Sequence, residues 1–168
     1  DLDGDDDLDA WVTNNNGEPN RFWINDGGNQ GGTPGNFTYG GQELGNSDST
    51  DVSLGDVDGD GDLDAWVTNF TGQPNRVWLN DGFGNFTDSL QELGISSSES
   101  VALGDLDGDG DLDAWVGNGV SSNIWQNDGL GNFSDNGQVS GNSNSHAVAL
   151  GDVDSDGDID AWLASEFF

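Results

Sequence analysis

The stretch DVDGDGDLDAWV, residues 56–67, decides the reading, because it returns as DLDGDDDLDAWV from Asp1, DLDGDGDLDAWV from Asp105 and DVDSDGDIDAWL from Asp152. The four starts lie 55, 49 and 47 residues apart, and the inequality has a simple origin. From the first Asp of each stretch to a following Asn is always 13 residues: Asp1 to Asn14, Asp56 to Asn69, Asp105 to Asn118. From a later Phe to the next stretch is always 19: Phe37 to Asp56, Phe86 to Asp105, Phe133 to Asp152. Length varies only in the Gly-rich turn GGNQGGTPG at 27–35, which shortens to GFG after Asp81 and GLG after Asp128, and in the loop between Asn118 and Trp125. Fixed segments with length changes confined to Gly-rich points are what a repeated structural unit with surface loops produces.

Within a repeat the pattern reads as four short strands. Val52 and Leu54, Val101 and Leu103, Val148 and Leu150 alternate with small or polar residues before each acidic loop, the period-2 pattern of a half-buried strand. After the loop comes Ala65-Trp66-Val67-Thr68 with its copies, rich in strand formers. A third strand at Arg76-Val77-Trp78-Leu79 leads to a hairpin-type turn at Asn80-Asp81-Gly82 and a fourth running from Phe86 toward Leu93. No window keeps helical spacing, and frequent Gly disfavours long helices. Four-stranded units of this length are the mark of propeller blades. The expected fold is all-β, made of β-propeller-type four-stranded antiparallel blades in about three and a quarter repeats. Residues 1–168 are read as one domain, its repeats starting near 1, 56, 105 and 152. The first unit lacks its opening strand and the last stops after its second, which is short of a conventional ring. The expectation is a piece of a longer chain, with assembly of several copies as the alternative.

The acidic loop D-x-D-x-D-G-D-x-D places carboxylates at positions 1, 3, 5 and 9, and position 7 offers its backbone carbonyl. Calcium takes six to eight oxygens at about 2.3–2.6 Å, and Gly at position 6 lets the loop turn sharply around the ion. The candidate ligands are therefore Asp1, Asp3, Asp5, Asp9 and carbonyl 7 of Asp7; Asp56, Asp58, Asp60, Asp64 and the carbonyl of Asp62; Asp105, Asp107, Asp109, Asp113 and the carbonyl of Asp111; Asp152, Asp154, Asp156, Asp160 and the carbonyl of Asp158. Up to four Ca2+ sites are expected. The first loop carries Asp6 at the Gly position, so it is expected to be the weakest. An EF-hand would need a Glu at position 12 and a following helix. Position 12 is Val12, Val67, Val116 or Leu163, so the EF-hand is excluded. Solvated Asp-Gly turns are the plainer alternative, but four carboxylates per loop make six like-charge pairs, each costing about 1 kcal/mol at 4 Å in water. Magnesium keeps its waters and suits an all-protein cage less well.

Ser100-Val101-Ala102-Leu103-Gly104-Asp105 with the Asp loop behind it, N-R-x-W-x-N-D-G at 20–27 and 75–82, and G-N-F at Gly35, Gly84 and Gly131 resemble the FG-GAP/VCBS-type repeat. That is the calcium-loop blade of integrin α-subunit propellers and of many bacterial secreted proteins, and the latter motifs look like the bacterial branch. An integrin repeat would show Gly-Ala-Pro after the second strand, where this chain has Val67-Thr68-Asn69 or Val116-Gly117-Asn118. The resemblance implies a propeller fold and a structural calcium in the loop joining the first two strands. It does not extend to integrin-like ligand recognition.

Composition fits this reading. The chain of 168 residues carries 2 Lys+Arg against 33 Asp+Glu, a formal net charge of −31. Of the acids 28 are Asp, and 21 of all the acids lie in the four loops. Such a charge repels phosphate, so nucleic acid is not an expected partner, and no apolar run is long enough for membrane insertion. Seven Trp and eight Phe argue for a folded chain. Trp11, Trp66, Trp115 and Trp162 share one repeat position and Trp23, Trp78 and Trp125 another, which points to inter-blade core over a sugar platform. Arg21 and Arg76 are expected to pair with nearby Asp. The four N-F-[ST] sequons at Asn36, Asn69, Asn85 and Asn132 are read as by-products of the repeat. With no Cys, no Lys and a single His146, nucleophilic chemistry lacks its parts, so the chain is expected not to be an enzyme. The leading function is a calcium-binding structural or adhesion module of an extracellular, secreted or cell-surface protein, with protein ligands, glycans or other copies of itself as candidate partners. A lectin-like carbohydrate-binding module, perhaps joined to a catalytic domain elsewhere, is the alternative.

Overall fold

A computed structural model describes residues 1–27, 32–33, 35–140 and 144–166; most of the long Gly-rich turn singled out above lies outside these residues. The described residues form thirteen strands and no helix, as the strand count predicts. The first unit holds β1 (Ala10–Val12), β2 (Arg21–Asn25) and β3 (Phe37–Tyr39). The second holds β4 (Ser49–Gly55), β5 (Asp64–Asn69), β6 (Arg76–Asn80) and β7 (Phe86–Asp88). The third holds β8 (Ser98–Gly104), β9 (Asp113–Asn118), β10 (Ser122–Asn127) and β11 (Phe133–Ser140), and the fourth β12 (Asn144–Gly151) and β13 (Asp160–Glu166). Each sheet is an antiparallel meander in chain order, and the ring of blades is not closed.

The fourth strand of the second blade is shorter than the apolar pattern implies. β7 ends at Asp88, and Leu90 adopts a left-handed φ of 62°. Its N–H is taken by Asp88 Oδ1 at 2.8 Å, a local turn that outcompetes the ladder. Leu93 then rejoins only through an isolated bridge to Asn75.

The blades stack face to face, so a central strand is buried on both sides. In β5, Ala65 and Val67 join Leu2, Phe22, Leu44, Trp78 and Phe86 in one cluster between the first two blades. Trp66 points the other way, into a cluster with Val77, Val101, Ala114, Val116 and Phe133 between the second and third. Trp11, Trp66, Trp78 and Trp125 thus serve inter-blade packing, while Trp23 and Trp162 are exposed.

Polar side chains fasten the same interfaces. Gln42 of the first blade donates Nε2 to the Phe86 carbonyl (3.0 Å) and accepts the Phe86 N–H (2.8 Å). Gln91 repeats this on Gly131 and Phe133 of the third blade. The constant Asn of the second strand is buried in the second and third blades, at Asn69 and Asn118: Asn69 Nδ2 donates to the Pro74 carbonyl, and its Oδ1 accepts from Ser49 Oγ. Arg21 and Arg76 pair with Glu43 (3.2 Å) and Glu92 (3.3 Å), not with Asp as the sequence led us to expect. The Glu residues sit one position after the clamping Gln, on the segment that runs back beside the third strand. Both pairs are exposed and contribute little to stability.

Candidate metal centres

Each acidic loop joins the first and second strands of its blade, the first loop leading into β1. The loop closes on itself through a hydrogen-bond pattern repeated four times. The position-1 carboxylate takes the N–H of position 4 on one oxygen and of position 6 on the other, as in Asp56 with Gly59 (2.8 Å) and Gly61 (3.0 Å). The same pair of bonds recurs at Asp1, Asp105 and Asp152. Position 5 takes the N–H of position 7, as in Asp60 with Asp62 at 3.0 Å.

The turn demands left-handed backbone at position 6, where Gly61 has φ 99°. Asp6 holds the same region at φ 71° in the first loop, so the expected departure is present there. Position 4 is left-handed as well: Gly4, Gly59 and Gly108 occupy it in three loops, and Ser155 takes it at φ 64° in the fourth. The fourth loop therefore carries a strained residue of its own, signalled in the sequence by Gly at position 4 of the other three.

Position 9 also holds backbone from two elements. Asp64 is fully buried; its Oδ2 accepts the Val57 N–H (3.0 Å) and its Oδ1 the Asn80 N–H at the end of the third strand (2.8 Å). Asp113 does the same with Leu106 and Asn127, and Asp9 with Leu2 and Asn25. Asn80 Nδ2 in turn donates to the carbonyls of Leu63 (3.2 Å) and of Leu2 in the preceding blade (3.0 Å), and Asn127 bridges Leu112 and Val57 likewise. The Asn-Asp-Gly turn after the third strand is thus the fastener that ties two successive acidic loops together. At position 7 the Asp62 side chain lies against Gly82, so close that a Cβ there would meet its carboxylate oxygens at 2.5 Å, and Asp111 lies against Gly129 in the same way.

The structure brings carboxylate oxygens within 4.8 Å of one another in every loop: Asp1, Asp3 and Asp5; Asp56, Asp58 and Asp64; Asp105, Asp107 and Asp113; Asp152, Asp154 and Asp160. Opposed ligands of one calcium ion are separated by about this distance. Asp60, Asp109 and Asp156 at position 5, and Asp9 in the first loop, stand outside these triplets. The donors are all oxygen, the set that hard cations select, and each position-9 oxygen keeps a lone pair beyond the one given to backbone. Asp7 Oδ2 is buried and accepts no hydrogen bond, which fits the neighbourhood of a positive ion.

Electrostatics agrees. Burial, above all, pushes the Asp64 carboxyl up to about 6, the neighbouring charges of Asp58 and Asp60 adding to it against the two N–H bonds. Burial also raises Asp58, Asp111 and Asp113, with other loop carboxylates contributing. Asp81 and Asp128 are lowered by their bonds to Asn85 and Asn132, so they matter only below the ordinary carboxylate range.

A test with opposite signs follows. The ion-free folded chain holds protons on the raised carboxyls that the unfolded chain has released, so its stability rises as pH falls from 7 through about 6 toward 4. With cation bound, protons compete for the ligands, so acidification over the same window removes stabilisation. His146, raised by Glu99, adds the same rise to both arms and cancels in their difference. Urea midpoints at pH 7 and pH 5, with chelator and with saturating calcium, should move in opposite senses once that common part is removed. Parallel movement would show that the raised carboxyls are not ligands.

The sequons are occupied by structure: Asn69 is buried, and Asn85 and Asn132 direct Nδ2 at both oxygens of Asp81 and Asp128. Residues 64–116 and again 105–163 match the FG-GAP-like repeat. The two matches overlap and together span more than half of the chain; the first runs from β5 through the third acidic loop into β9, and the second from the start of that loop through the fourth acidic loop into β13. The chain belongs to the FG-GAP-like repeat family. No curated protein matches it.

Proposed function

We propose that this chain is a calcium-stabilised, non-enzymatic module of an extracellular protein, serving adhesion or structural assembly. The observation that carries the reading is the fourfold recurrence of one loop, with the same internal hydrogen bonds and three carboxylate oxygens within 4.8 Å in each copy. FG-GAP-like repeats are structural units typical of extracellular proteins, and no helix of the described residues is long and apolar enough to cross a membrane. In each loop positions 1 and 3, with 5 or 9, would hold the ion. The bound ion would neutralise the like charges that the loop concentrates and lock the turn between the first two strands. Through position 9 and the Asn of the third strand, the same ion would stiffen the junction with the neighbouring blade.

The lectin-like alternative is less well supported. Trp23 and Trp162, the exposed tryptophans, occupy repeat positions that serve blade packing elsewhere in the chain.

Titration calorimetry with calcium on the chelator-stripped chain tests the proposal. Up to four ions per chain are expected, with magnesium much weaker, and Asp56→Ala should remove one. Absence of calcium binding would overturn the reading.

A further inference from the structure

The first strands of the second, third and fourth blades carry a β-bulge at the same point. In β4 the register slips between Ser49 and Asp51, in β8 between Ser98 and Ser100 and in β12 between Ser145 and Ala147, so Thr50, Glu99 and His146 are the inserted residues. A bulge re-aims the side chain of its extra residue. β8 packs beside both β4 and β12, and two of the three side chains reach across. Thr50 Oγ1 donates to the Ser98 carbonyl of the third blade at 2.8 Å, and Glu99 Oε2 pairs with Nδ1 of His146 in the fourth. The backbone device is shared, but its chemistry changes from a neutral hydroxyl to an ion pair that uses the one histidine of the chain.

Both ring nitrogens of His146 face acceptors. Glu99 on β8 meets Nδ1, and Glu166 on β13 stands 3.6 Å from Nε2. Asn144, oriented with Oδ1 toward the ring, accepts from Nε2 at 3.1 Å; its Nδ2 then donates to Glu99 Oε1 (3.1 Å) and to the Gly119 carbonyl (3.3 Å). A neutral imidazole donates from one nitrogen and accepts at the other, whereas the imidazolium donates from both. These surroundings therefore fit the charged ring. On the strands packed here, β8, β9, β12 and β13, the remaining charges are Asp113 and Asp160, each at the acidic-loop end of its strand.

We propose that Glu99 and His146 form a proton-operated latch between the third and fourth blades, closed while the imidazole carries its charge and released when the ring loses it. The Glu99 bond, above all, holds the ring's pKa above its ordinary value. A group raised in this way contributes fully below its unfolded-state value, about 6.5 for histidine, and the contribution is lost as pH rises through the folded-state value. The junction between the second and third blades is built without histidine. There Asp51 Oδ2 accepts the Ser100 hydroxyl (2.9 Å) and the Val101 N–H (3.1 Å), where the next junction offers Ser100 Oγ to the Val148 N–H at 3.3 Å. Raising the pH should therefore loosen β12 and β13 from β8 while the second and third blades stay joined. The inference does not depend on what the acidic loops hold.

Nuclear magnetic resonance of the 168-residue chain in saturating calcium is the test, because His146 supplies the only imidazole signals. As pH is raised through neutrality, the ring should titrate in one step with a midpoint above that of the urea-unfolded chain. Glu99→Gln should lower this midpoint toward the unfolded value. Across the same step the hydrogen-exchange protection of the β12 amides, corrected for intrinsic rates, should fall about tenfold for each pH unit separating the two midpoints. The β4 amides should show no such step. His146→Gln should abolish the β12 step, and Thr50→Val, at the equivalent bulge of the second blade, should leave both midpoint and step unchanged. A folded midpoint at or below the unfolded one, β12 protection that does not change as the ring titrates, or a Glu99→Gln variant that titrates like the wild type would each overturn the proposal.

Discussion

Stripping calcium from the loaded chain is expected to lower its melting midpoint by tens of degrees. An ion that binds only the folded state at 100 times its dissociation constant contributes about 2.7 kcal/mol per site. Four loops of the same construction bring that to roughly 10 kcal/mol, comparable with the whole stability of an ordinary domain. At about 2–4 °C per kcal/mol for a chain of this size, the shift is on the order of 20–40 °C. The ion-free loops add to the effect, because their carboxylates then repel one another with no counter-ion between them.

Calorimetric scans with calcium, with magnesium and with chelator read this directly, and magnesium should restore only a small part of the loss. Because blades in a repeat array contribute separately, partial removal should broaden the transition before it lowers it. A midpoint unchanged by chelator would sink the calcium assignment. It would leave the Asp loops as turns stabilised by their own Asx-type bonds, such as those of Asp56 with Gly59 and Gly61.

Much of this architecture was legible in the chain, because repetition supplied its own control. A loop seen once reads equally well as a solvated turn; seen four times with carboxylates at the same positions and the same strands on either side, it reads as a site. The strand order also followed from period-2 alternation and short connections. What escaped were features that depend on residues far apart in sequence. Gln42 and Gln91 look like ordinary surface amides, yet each stands in for a missing strand partner of a residue more than 40 positions away. The spacing presents Asp64 as a metal ligand alone, although its two oxygens also hold the N–H groups of Val57 and Asn80. The signal was present in principle, since the constant Asn-Asp-Gly after every third strand asks for a partner. Only folding shows that the partner is the preceding acidic loop. The fourth strand failed for a local reason: the Asp88 side chain captured the Leu90 N–H and turned the backbone left-handed, which no apolar pattern encodes.

Replacing the same repeat residue in two blades should give very different results, and the pair Trp66 and Trp162 makes the sharpest comparison. Trp66 is completely buried between the second and third blades and meets the Phe133 ring edge-on at 85°. Trp66→Ala is expected to cost about 3–5 kcal/mol, the range for large aromatic side chains deleted from a core, because the rigid sheets on either side cannot collapse into the void. The indole Nε1 has no hydrogen-bond partner in its buried site, so Trp66→Phe loses no polar contact and should recover a good part of the stability. Trp162→Ala should fall within about 0.5 kcal/mol of wild type, as exposed positions do. Urea unfolding followed by far-ultraviolet circular dichroism, in the presence of calcium, measures both. If the two alanine variants lost equal stability, the blade register that buries one Trp and exposes the other would be wrong. The same register carries the internal blade interfaces, so their assignment would fall with it.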